Sequence, residues 1–193
     1  MKNLPKATAQ KIDKFVKIAQ ELRSGTTKYF SITCLTSIKS LCKEPEIAAR
    51  FATYLAEKIQ HKVNSEYSPQ YIDPVDWASY KALINEVVPL LQAHVESPTA
   101  ETLASLESLL PMLGANRQFT GKVYWGRPLI SIKSSDVLIV EYAVQCVLSP
   151  LAASSIAYDT AREYCECYNP NVGTGLIADS LPMLEDVIGF WYE

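Results

Sequence analysis

The stretch from 29 to 63, YFSITCLTSIKSLCKEPEIAARFATYLAEKIQHKV, narrows the folds open to this chain more than any other. At about 100° per residue, Phe30, Cys34, Leu35, Ile38, Leu41 and Cys42 fall on one broad arc, with Thr33, Ser37, Ser40, Lys43 and Glu44 opposite. That is an amphipathic helix with one face to bury. Pro45 fits only in the first turn of a new helix, where its missing N–H costs nothing, and Glu46 suits the positive end of the helix dipole. The second helix then offers Ile47, Phe51, Leu55, Ile59 and Val63 as its buried stripe, with Ala48, Ala49, Ala52 and Ala56 small enough to let a neighbour approach. So short a turn predicts an antiparallel hairpin of the two helices.

The same signals recur along the chain. A first helix is expected from Lys6 to Arg23, closed at Ser24-Gly25 because glycine takes the left-handed conformation easily. NSEYSPQYIDP reads as a loop. Asp73, Pro74 and Asp76 then give a cap, a first-turn proline and an acid at a helix start, followed by Trp77, Tyr80, Leu83, Ile84, Val87 and Val88 at helical spacing. Pro89 is expected to kink or shorten the last turns. Ser97-Pro98 repeats the starting device ahead of a leucine stripe, Leu103, Leu106, Leu110 and Leu113. From Asn116 to Ile132 the texture becomes that of a long loop or short β-hairpin. VLIVEYAVQCVLS, capped by Ser135 or Asp136, is apolar nearly all round and is expected to be the most buried helix. Ser149-Pro150 restarts a helix to about Tyr168, and LIADSLPMLEDVIGFWYE is a last helix that returns Phe190 and Trp191 to the core.

These readings give an all-α fold, a bundle of about seven helices in one domain spanning 1–193, with an irregular or β-hairpin insertion near 117–133. Sliding the chain by about 105 residues lays Pro45 on Pro150, Ala48 on Ala153, Phe51 on Ile156, Ala52 on Ala157 and Ala56 on Ala161. A decayed duplication would make this a set of stacked helical hairpins of the armadillo or HEAT sort; the rival reading is that any two capped, alanine-rich helices look alike.

With 193 residues, 48% hydrophobic and 20% charged, the chain can fill a globular core, and a net charge of −3 supplies no overall attraction to nucleic acid. Five cysteines without a CxxC pair cannot form a complete internal disulfide framework, which favours a reduced, cytoplasmic setting. The opening residues lack the apolar core of a signal peptide, and the apolar run at Val137 to Val140 stops at Glu141, so neither secretion nor a membrane span is expected. Lys6, Lys11, Lys14 and Lys17 form a basic helix face, interrupted by Asp13 and Glu21 and read as solvated.

Chemistry-bearing residues are sparse. His61 and His94 are the only histidines and are expected on helix surfaces. Cys165 and Cys167 diverge by about 200° on a helix and cannot grip one metal ion. Gly121-Lys122 and Gly173-x-Gly175 lack the rest of a phosphate-loop motif. No cofactor, metal site or catalytic set is expected.

The least ordinary stretch runs from Arg117 to Lys133, where Arg117, Lys122 and Arg127 alternate with Phe119, Tyr124 and Trp125. Cations beside aromatics can anchor a protein interface or stack bases and grip phosphates. Arg117, Lys122, Tyr124, Trp125 and Arg127 are therefore the candidate binding residues; the bland alternative is a loop whose aromatics tuck inward. Eleven tyrosines also lean toward an interaction surface. The function expected is a non-enzymatic adaptor for a protein partner or for self-association. Two alternatives are a ligand-binding protein or enzyme with a pocket between helices, and a nucleic-acid adaptor using the 117–133 loop.

Overall fold

A computed structural model of the chain describes residues 6–27, 32–65, 74–115, 118–124, 127–133, 135–166 and 181–192, with backbone alone at 32–33, 74–76, 118–124, 127–133, 135 and 166. Among the described residues are eight α-helices: α1 (Lys6–Arg23), α2 (Ser37–Leu41), α3 (Pro45–Asn64), α4 (Pro74–Glu96), α5 (Ala100–Ala115), α6 (Ser135–Leu148), α7 (Ala153–Glu166) and α8 (Leu181–Gly189). A 3-10 turn, Ile32–Thr36, leads into α2, and strands β1 (Gln118–Tyr124) and β2 (Arg127–Lys133) pair antiparallel with an irregular register. No described helix is long and apolar enough to cross a membrane.

α3 is the hub. It packs on α4, α6, α7 and α8, and its inward surface is wide enough to bury Ala48, Phe51, Ala52, Thr53, Tyr54, Leu55, Ala56, Ile59 and Val63. α6 touches α3, α4, α5 and α7, and neighbours on that many sides explain a helix apolar nearly all round. Its Glu141 is only 3% exposed, and the carboxylate accepts a 2.9 Å hydrogen bond from Gln145 Nε2 one turn on. α8 lies on α1, where Arg23 and Glu185 form an ion pair, and the chain beyond it turns inward. Phe190 and Trp191 both meet the ring of Phe51, at 5.2 Å edge-on and 6.1 Å stacked respectively.

The local signals hold where they act through the backbone. Gly25 closes α1 with φ +70°, and Pro45 and Pro74 open α3 and α4. Asp73 lies outside the described residues. Four expectations need correction. α2 is barely more than one turn long and rests on α7 rather than α3, so the two elements around Pro45 are not a folded-back hairpin. Ile47 is 36% exposed although Ala48 beside it is fully buried, so the first turn of α3 is covered on one side only. α4 is not shortened at Pro89 but runs on to Glu96; that proline is exposed, so the lost helix bond faces the solvent side, where water can replace it. α5 takes its cap from Thr99 and not Ser97: Thr102 N–H donates to Thr99 Oγ1 (3.1 Å) while Thr99 N–H reaches back to Thr102 Oγ1 (3.4 Å), a reciprocal capping box.

Candidate functional site

Of the residues singled out from sequence, Arg117 and Trp125 lie outside the described residues, and Lys122, Tyr124 and Arg127 are described in backbone only. Lys122 and Tyr124 belong to β1 and Arg127 to β2, and Tyr124 pairs with Arg127 across the ribbon.

The side chains converge elsewhere, at one end of the bundle. A cavity of about 250 Å³ opens where the first turn of α3 meets the last turns of α4 and α6. α3 contributes Pro45, Glu46 and Ala49. His94, Val95 and Pro98 come from the α4–α5 corner, and Cys146, Val147 and Pro150 from the α6–α7 corner. Each segment contains a proline at or near a helix end, because proline begins helices well and cannot continue them. Leu151, next to Pro150, is 104% exposed, its whole side chain in solvent.

His94, expected on the surface, is half-buried here, with Nδ1 2.8 Å from Thr102 Oγ1 in the capping box of α5. The histidine thus ties the end of α4 to the start of α5. Histidine, glutamate and cysteine in one cavity are residue types on which nucleophilic catalysis draws. Cys146 is unsuited to it: its thiol donates to the Ala153 carbonyl (3.3 Å), and burial pushes its pKa up to about 12, so the reactive thiolate is scarce at neutral pH. Cys34 is likewise raised to about 12 by burial, and Cys42 is raised further by burial and then by the Cys146 charge. Among the described residues no cluster of three or more His, Cys, Asp or Glu side chains is placed to hold a metal ion.

A larger cleft, about 530 Å³, lies between α3, α7 and α8. Its polar groups are engaged with each other. Lys62 Nζ bonds both carboxylate oxygens of Asp136 at 3.1 Å, Tyr164 Oη donates to Asp186 Oδ2 at 2.7 Å, and Lys58 stands 3.7 Å from Asp186 while lying over the Tyr54 ring. This is a stitched seam between helices, and the end cavity is the better candidate site.

Sequence reasoning passed over that cavity because its three walls are about 50 residues apart in the chain. The available signal was the three prolines that mark helix corners, yet nothing local says which corners meet. Compared with known proteins, the chain matches no family model, no curated protein and no solved structure.

Proposed function

We propose that the protein is a non-enzymatic interaction module that receives an apolar side chain of a protein partner in the cavity at the α3, α4 and α6 ends. The observation that carries this reading is Leu151, a fully exposed leucine next in the chain to Pro150, which walls an apolar depression. A single exposed leucine is ordinary; one adjoining the wall of a hole resembles the anchor-and-pocket pattern of interface hot spots. Size supports it: about 250 Å³ falls below the ~300–1,000 Å³ typical of ligand and cofactor pockets. Burying Leu151 against a partner would contribute about 1.5–3 kcal/mol, or roughly ten- to a hundredfold in affinity.

The test is a selection of displayed random peptides on the full chain, followed by titration of the selected peptides against Leu151→Asp and Ala49→Trp. Leu151→Asp alters no buried contact, and Ala49→Trp fills the cavity from its wall. Selected peptides are expected to lose at least about tenfold in affinity for both variants. Equal binding to wild type and Leu151→Asp would overturn the reading, as would a selection that enriches nothing.

A further inference from the structure

We infer that two copies of this chain associate by exchanging ribbons, the β1–β2 ribbon of each lying along the outer face of α5 of the other. This surface is separate from the end cavity, and the register of the strands leads to it. Phe119 lies opposite Ile132, Gly121 opposite Leu129 and Tyr124 opposite Arg127, and the pairs are linked by steps of two residues, 119 to 121 along β1 and 129 to 127 along β2. Side chains alternate along a strand, so these six positions share one face. That face is apolar and aromatic with Arg127 as its single charge, while Gln118, Thr120 and Lys133 fall on the other. A two-stranded ribbon is marginally stable by itself and gains support by packing on a helix. The two strands pack on each other, but no helix packs along either of them.

α5 has the matching deficit. It is nearly as apolar as α6, yet α6 packs among four helices and α5 only on α4 and α6. The side turned away from them exposes Leu103 (37%), Pro111 and Met112 (50%), and Glu107 is the only charge from Thr102 to Ala115. Among the described residues Glu107 is held in no ion pair. One face is apolar with a single cation, and the other is apolar with a single anion. Their lengths agree, since 7 strand residues and 16 helical ones each span about 23–24 Å. The surrounding charge has the same signs: no Lys or Arg occurs between Lys81 and Arg117, and no Asp or Glu between Glu107 and Asp136. Two residues join α5 to β1 and only one joins β2 to α6, below the ~2–6 that a reversal between strand and helix takes, so the ribbon does not fold back over its own α5. A two-fold axis lets both copies make the same contact, and it spares Glu107 the meeting with its own copy that packing α5 on α5 would impose. Two exchanges cover roughly 1,000 Å² in all, the weak end of specific interfaces.

The experiment is sedimentation equilibrium of the full chain over a wide concentration range, for wild type, R127E, E107R, an equal mixture of those two variants, and L103D/M112D. The substituted α5 residues are all exposed, and far-ultraviolet circular dichroism checks that each variant keeps its helix content. Wild type is expected to be a dimer that dissociates on dilution. Each single reversal sets like charges together at both junctions of the dimer and is expected to weaken it at least about tenfold. Mixing R127E with E107R joins opposite charges again at both junctions and should restore association, which a fold-back within one chain could not do. L103D/M112D should be monomeric throughout. A wild type that is monomeric at every concentration would overturn the inference, as would single variants that dimerise like wild type or a mixture that stays monomeric. A dimer lost in Leu151→Asp but kept in R127E would place the contact at the end cavity and overturn it as well. Duplex DNA bound by a monomeric wild type and released by R127E would assign the ribbon to nucleic acid, with the same consequence.

Discussion

Replacing Phe51 with alanine tests whether the C-terminal segment is truly clamped to the hub helix. Phe51 is completely buried in the middle of α3 and holds two rings from the far end of the chain, Phe190 edge-on at 77° and Trp191 stacked at 25°. Truncating a buried phenylalanine costs about 3–5 kcal/mol through lost transfer energy and the cavity left behind. Each aromatic pair adds about 0.5–1.5 kcal/mol beyond its area. A loss of about 4 kcal/mol is therefore expected, a large share of the ~5–15 kcal/mol that stabilises an ordinary domain. At about 2–4 °C per kcal/mol for a chain of this size, the Tm should fall by about 8–16 °C. Equilibrium unfolding in guanidinium chloride, followed by both tryptophan fluorescence and far-ultraviolet circular dichroism, gives the free energy and shows whether the two probes coincide. Phe51→Leu should cost less than half as much. A double-mutant cycle with Trp191→Ala should return a coupling of about 0.5–1.5 kcal/mol. A cost under about 1 kcal/mol for Phe51→Ala, or zero coupling to Trp191, would refute the claim that the C-terminal rings are part of the core.

Two further predictions follow from the helices and the thiols. Pro89→Ala restores an amide to the exposed side of α4 and removes a residue about 3 kcal/mol unfavourable inside a helix, so it should raise the Tm; a drop would mean that the packing of α4 depends on its proline. Cys34 and Cys146 have folded-state pKa values raised from 9.0 to about 12, and Cys42 is raised as well. A group with a raised folded pKa contributes stability below its unfolded value and loses it as the pH climbs toward the folded one. Unfolding free energy should therefore decline between about pH 9 and 12. Replacing Cys146 with alanine should flatten that decline, and an unchanged alkaline slope would refute the assignment.

What could be read from the sequence was what the backbone decides within a few residues. The helix start at Pro45, the helix end at Gly25 and the all-round apolar character of α6 depend on a fixed φ, a permitted left-handed turn and a local count of oily side chains. Tertiary structure decided the rest, since burial belongs to a side chain's neighbours and those arrive from distant parts of the chain. Ile47 and Leu103 continue the apolar stripes of α3 and α5, yet each is more than a third exposed, while Ala48 next to Ile47 is fully buried. α2 buries Ile38 and Leu41 as predicted but leans on α7, and no local rule sets which helix a short one will meet. The end cavity is the strongest case. Pro45, Pro98 and Pro150 each announce a corner by themselves, but a cavity exists only because packing brings the three corners together.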